Sequence, residues 1–183
     1  MKLTSKFFDM VRTELFGGTL SQTQVDGIQT IVDAWPESTD FRWIAYALAT
    51  AYHETDKTMQ PIAEYGKGHG KGYGVPMGPF SQIYYGRGFV QLTWFTNYRK
   101  AEERIPGSDL VAKPDNALEP GIAAQVIVRG MTEGWFTGAK LMDFFNTTKT
   151  DWINARRIIN GLDKAAMIGG YALHFMRALE GHS

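Results

Sequence analysis

The chain of 183 residues contains no cysteine. Disulfides are therefore unavailable to it, and its stability must come from burial. A thiolate nucleophile is excluded as well, and with it the cysteine peptidases and amidases. Charge of one sign is also missing. Nineteen Lys and Arg balance nineteen Asp and Glu, so no overall field steers the chain to nucleic acid or to an anionic membrane. No apolar run approaches the ~18 residues that a transmembrane helix needs. In "MKLTSKFFDMVRTELFGG", Asp9, Arg12 and Glu14 interrupt what a secretion signal would keep apolar. The expectation is a chain made in the cytoplasm without a signal peptide, with no nucleic-acid partner and no stable membrane insertion.

Hydrophobic residues make up 44% and charged residues 21% of the chain, enough for one globular domain with a core. The apolar spacing is mostly helical. Phe7, Phe8, Val11 and Leu15 recur at helical intervals, with Gly17-Gly18 as a stop. Ser21 and Gln24 form a capping box ahead of a stripe of Val25, Ile28, Val32 and Trp35, and Pro36 closes that helix. A third helix follows, capped by Ser38, Thr39 or Asp40, with Phe41, Ile44, Ala45, Leu48, Ala51 and Tyr52 facing inward. Residues 55–88 are rich in glycine, carry Pro61, Pro76 and Pro79, and have no helical period. Phe89, Val90, Leu92 and Trp94 suit a short strand or hairpin arm. Helical patterns return at about 96–104, 119–133, 137–145, 150–159 and 164–180. The expected fold is mainly α: a lysozyme-like helical domain with a glycine-rich loop or short hairpin region beside a cleft. It reads as a single catalytic domain over 1–183, with the helical pair of 1–36 packed on the core and no separate cell-wall-binding module.

Few chemical motifs survive inspection. "HETDK" would be a zinc-protease helix only if its fifth position were His, and it is Lys57; His69, His174 and His182 have no ligand spacing. The expectation is no metal and no cofactor. "GKGHGKGYG" lacks the Gly-Lys-Ser/Thr ending and the immediate helix of a phosphate loop, and reads as a flexible surface loop. No Gly-x-Ser-x-Gly elbow is present. Two glutamates remain. Glu54 ends an apolar helix and shares a face with Ala47, Thr50 and Ala51, which leave room for a ligand. Glu64 follows ten positions on. A continuous helix would separate the two by about 15 Å, beyond the ~6.5–9.5 Å of an inverting glycosidase. Pro61 denies that helix, so the chain can fold back and bring Glu64 across a cleft. By spacing alone, solvated surface glutamates remain the alternative.

"YYGRGFVQLTWFTNY" at 84–98, with "AYHET" upstream and "RRIING" downstream, resembles glycoside hydrolase family 19. That family includes plant chitinases and shorter peptidoglycan-degrading endolysins of phages and prophages. The likeness covers about residues 40–180. It implies that Glu54 is the general acid, that Glu64 is the second catalytic glutamate, and that Thr93 helps hold the attacking water. It implies sugar contacts for Gln91, Asn97 and Asn160. Tyr85 belongs to the same Tyr-Tyr-Gly-Arg-Gly motif and is taken as substrate-binding. Arg87 matches the family's arginine beside the catalytic carboxylates. Plant relatives carry cysteines and a longer loop before the second glutamate, so this chain is more similar to the endolysin branch. Past "ING" those relatives have a supporting acidic residue; here Asp163 is near and Lys164 stands in the expected place.

The resemblance implies a monomeric peptidoglycan hydrolase that cuts β-1,4 bonds between N-acetylhexosamines with inversion. It would reach the wall in the periplasm after membrane permeabilisation, with a holin as the partner for release. The rivals are a chitinase on the same scaffold, a non-catalytic glycan-binding module, and membrane disruption by the C-terminal helix. Lys164 and Arg177 are too few charges on that last helix for an interfacial one.

Overall fold

A computed structural model describes residues 1–181, so His182 lies outside the described residues. Six helices carry the fold: α1 Ser5–Glu14, α2 Gln22–Asp33, α3 Phe41–Glu54, α4 Phe95–Arg104, α5 Pro120–Glu133 and α6 Ala165–Glu180. Helix α3 is the axis. Its residues from Ile44 to Tyr52 are all buried, which matches a sequence of alanines and large apolar side chains with no charge. It packs most extensively on α6, whose Ile168, Ala172, Phe175 and Leu179 are fully buried. Helix α1 lies on α6 and α2 on α5, so the N-terminal pair sits on the rest of the helical core.

The start signals act as their chemistry dictates. The Ser21 hydroxyl accepts from the Gln24 N–H and the Gln24 side chain accepts from the Ser21 N–H, closing the expected capping box. Asp40, of the three candidates, caps α3 by accepting from the Arg42 N–H. The Arg42 guanidinium returns to Asp40 and donates to the Asn146 and Lys149 carbonyls and the Thr150 hydroxyl. This ties the beginning of α3 to a distant loop.

Two expected helices are much shorter in the structure. The 137–145 pattern yields only a 3₁₀ turn, Leu141–Asp143, and 150–159 only Asn154–Ile158. Gly138 at φ +93° interrupts the first, and the Phe145–Thr150 bridge forces a reversal before the second. The expected strand is displaced as well. The two-stranded antiparallel sheet pairs β1, Ile62–Ala63, with β2, Arg87–Gly88. Phe89 and Val90 form the turn beyond, closed by the Arg87–Leu92 bridge, with Gln91 at φ +55°.

Candidate active site

Between Glu54 and β1 the chain is strapped to α2. Gln24 Nε2 donates to the Lys57 carbonyl and Gln60 Nε2 to the Thr23 carbonyl. The Met59 carbonyl approaches Gly27 so closely that a Cβ there would stand 1.8 Å away. Pro61 follows, and β1 runs antiparallel to β2 in the register Ile62↔Gly88, Ala63↔Arg87. The next step of that ladder places Glu64 beside Gly86. The Glu64 N–H donates to the Gly86 carbonyl at 2.8 Å, and the Gly86 N–H donates to Glu64 Oε2 at 3.2 Å. Tyr73 Oη donates to Glu64 Oε1 at 3.0 Å, so both oxygens have a donor. The Tyr73 pKa is raised by burial first and by that carboxylate second.

Glu54, on the last turn of α3, is half-buried, and its Oε1 accepts from Arg156 Nη1 at 2.8 Å. Arg156 is itself buried, with only 4% of its side chain exposed. Its Nε donates to the Asp163 carbonyl. Among the described residues Glu54 Oε2 has no hydrogen-bond partner, so one oxygen is held and the other is free.

Glu54 and Arg156 line a cleft of about 510 Å³ together with Tyr73, Gln91, Thr93, Trp94, Asn97 and Asn160. The cleft thus collects an ion pair, three amides and hydroxyls. Volume alone does not single it out, since a depression of about 530 Å³ lies between α2 and α5. That one has only Thr30, Gln125 and the charges of Asp33 and Arg129 among alanine, glycine and valine.

The predicted residues divide into three groups. Glu54, Thr93, Gln91, Asn97 and Asn160 meet in the cleft. Within it, Gln91 Nε2 donates to the Ile62 and Gly88 carbonyls and so braces the β1–β2 turn. The Thr93 hydroxyl donates to the Gln91 carbonyl, and Asn97 Nδ2 to the Thr93 carbonyl. Asn160 Oδ1 accepts from the Gly161 N–H. Glu64 joins at the edge, through Tyr73. Tyr85 and Arg87 do not join. They border a separate depression with Lys113, Pro114 and Asp115.

Arg87 therefore corrects the expectation of an arginine beside the catalytic carboxylates. Its Nε donates to Asp115 at 2.7 Å, and its Nη1 to the Ile83 and Tyr85 carbonyls and the Tyr98 hydroxyl. The guanidinium lies 3.4 Å from the centre of the Tyr85 ring. Burial lowers the Arg87 pKa, but Tyr98, Tyr85 and Asp115 more than reverse this and leave it raised. Arg156 is the arginine that sequence reasoning missed, although "RRIING" contained it. The signal was a pair of arginines opening an otherwise apolar segment. The supporting contact at Asp163 also differs in kind: its backbone carbonyl, not its carboxylate, reaches Arg156. Lys164 turns the chain at φ +59° into α6.

The glycine-rich loop lies at the surface, as expected, and is folded on its own backbone hydrogen bonds. N–H groups of Lys67, His69, Lys71 and Gly74 donate to the carbonyls of Glu64, Gly66, Gly68 and Lys71, a succession of turns. A Cβ on Gly74 would stand 1.8 Å from the Gly68 carbonyl oxygen, so only glycine permits the loop to close on itself. Among the described residues no group of three or more His, Asp or Glu could hold a metal ion.

No protein-family model and no curated protein matches the sequence. Among solved structures it is similar to chitinase C from Streptomyces griseus, at 21% identity and a TM-score of 0.61, over 96% of this chain and 75% of that one. It is also similar to a bacterial family 19 chitinase, at 20% identity and 0.55, over 96% and 93% of the two chains. A class IV chitinase from Zea mays matches at 21% identity and 0.58, over 97% and 92%. Likeness at such identity is one of architecture, and the chain has the mostly helical, lysozyme-like fold of the family 19 chitinases.

Proposed function

We propose that this chain is a glycoside hydrolase of the endolysin branch, cutting β-1,4 bonds between N-acetylhexosamines of bacterial peptidoglycan. The observation that carries this reading is the cleft, which Glu54, with one oxygen free, lines together with the Gln91, Asn97 and Asn160 amides and the Thr93 hydroxyl. Amides and hydroxyls are the partners a hydroxyl- and acetamido-bearing sugar requires.

In this mechanism Glu54 Oε2 carries the proton and delivers it to the glycosidic oxygen as the bond to the anomeric carbon breaks. Glu64 takes a proton from a water that attacks the opposite face, with Thr93 orienting that water. The configuration inverts, Glu54 ends ionised, Glu64 ends protonated, and solvent resets both. Glu64 suits the base because Tyr73 and the Gly86 N–H hold its oxygens in place. Arg156 Nη1 donates to Glu54 Oε1, which fixes the side chain and leaves Oε2 to face the glycosidic oxygen in this mechanism. The protein acts as a monomer on the wall in the periplasm, after a holin-like partner has opened the membrane.

Mass spectrometry of the muropeptides released from purified sacculi tests the reading. Cleaved glycan is expected, the new reducing-end sugar names the bond, and proton NMR of the fresh product shows the inverted anomer. The second reading, a chitinase, is favoured by the names of the similar structures. Hydrolysis of chitin oligomers with untouched sacculi would establish it.

A further inference from the structure

Two cations on the glycine-rich loop have no role in the chemistry above. Lys67 and Lys71 are exposed on the glycine-rich loop. Lys113 and Lys149 pair with Asp109 and Asp151, but neither Lys67 nor Lys71 is in an ion pair among the described residues. The loop that carries them is a wall of the cleft. Its Tyr73 lines the cleft and bonds Glu64, and its Gly72 lies against the Trp94 ring, which also lines it. The lysines are set on ordered backbone: the Lys67 N–H donates to the Glu64 carbonyl at 3.0 Å and the Lys71 N–H to the Gly68 carbonyl at 2.9 Å. Inside the cleft Arg156 offsets Glu54, the remaining polar side chains that line it are neutral, and Glu64 adds one carboxylate at its edge. The two loop lysines outnumber that carboxylate, so the loop leaves net positive charge at the mouth of the groove, where an anionic strand would feel it.

Resting on the peptidoglycan reading, we propose that Lys67 and Lys71 bind the carboxylates of the peptide stems, so that the loop selects peptide-bearing strands over neutral glycan. Chitin has no such carboxylates. The test compares the wild-type chain with Lys67→Gln/Lys71→Gln on sacculi, on sacculi whose carboxyls have been converted to neutral amides, and on a chitin oligomer. On untreated sacculi the double variant should show KM raised about 3- to 10-fold with kcat unchanged, as befits two exposed charge contacts. The two proteins should match on amidated sacculi, and added salt should erase the difference on untreated ones. Lys67→Arg/Lys71→Arg should retain the wild-type KM and so exclude damage to the loop.

An equal loss on the neutral substrates, or no change on untreated sacculi, overturns the proposal while leaving the enzyme reading intact. A wild-type chain that cleaves the chitin oligomer and none of the sacculi overturns the peptidoglycan reading, and this proposal with it.

Discussion

The two walls of the cleft are built on different principles. The wall that carries Glu54 is the end of α3, a helix buried from Ile44 to Tyr52, and its charge is held by one buried arginine. The wall that carries Glu64 runs from residue 55 to 94 and has almost no regular structure beyond two strands of two residues. There Asp56, Lys57, Met59, Lys67, Ser81, Gln91 and Trp94 all adopt positive φ, a conformation that costs non-glycine residues energy. One wall is a buried helix; the other is anchored by a few buried side chains, Met59, Tyr84, Phe89 and Leu92 among them, and shaped between them by backbone conformation and by side chains bonded to backbone carbonyls. The two carboxylates thereby have unlike partners, a guanidinium for Glu54 and a phenol with a backbone N–H for Glu64.

The strongest way to break this comparison is to neutralise each glutamate. Glu54→Gln should lower kcat on peptidoglycan by about 10³-fold, in the range of general acid catalysis. The amide still offers Arg156 an acceptor, so the far-UV spectrum should be unchanged. Glu64→Gln should cost about 10²-fold, since water can still attack unassisted. A Glu54→Gln chain that keeps most of its turnover would exclude Glu54 as the acid.

The arginines provide the next contrast. Arg156→Ala leaves the half-buried Glu54 without its cation and should destabilise the chain by about 3 kcal/mol, as loss of a buried ionic partner does. The conservative changes separate the roles. Arg156→Lys should lower kcat about 10-fold with a small shift in Tm, because a point charge cannot hold Glu54 and the Asp163 carbonyl in one plane. Arg87→Lys should do the reverse, lowering Tm and sparing kcat, since its partners all lie away from the cleft. Thermal melts beside initial rates on the same preparations decide it.

The helical wall was largely legible in the sequence, because burial writes itself as period. Ser21 with Gln24 and the stripe of α6 from Ile168 to Leu179 read correctly from local chemistry, and the α3 cap was narrowed to three neighbours of which Asp40 serves. The loop wall was legible only in composition. Nothing local says that Gln91 turns left-handed, that β2 falls on Arg87-Gly88 instead of Phe89-Val90, or that the glycines pack on one another. The Glu54–Arg156 pair joins residues 102 apart in the chain, so spacing could not choose between Arg87 and Arg156. The family resemblance pointed to Arg87, whose burial satisfies a different set of acceptors.

Gly74→Ala sharpens the contrast at smaller scale. The added Cβ meets backbone, not a flexible side chain, so the loop must reopen. Activity should fall about 10-fold through displaced Tyr73 and Glu64, as misplacement of a catalytic group does. Tm should scarcely move, because the loop contributes little to the helical core. A large loss of Tm would mean that the second wall is part of the core.

The smallest effect belongs to the far end of α3. Burial pushes the Asp40 pKa up, but hydrogen bonds from the Arg42 side chain and N–H, with the guanidinium charge, outweigh it and leave the pKa lowered from its ordinary 3.8. An unfolded chain therefore binds this proton more readily, so the contribution to stability is complete above pH ~4 and is lost as pH falls through the folded value. Asp40→Asn keeps a capping oxygen and loses the charge pair. It should lower Tm at neutral pH by about 2 °C, near the limit set by a partly exposed pair of at most ~1 kcal/mol. The gap to wild type should close as the melts are taken below pH ~4. Activity at neutral pH should be unchanged, because the Asp40 and Arg42 contacts end on residues 146–150, outside the cleft. A variant as inactive as Glu54→Gln would show that α3 transmits strain along its length, and the two walls would then not be independent.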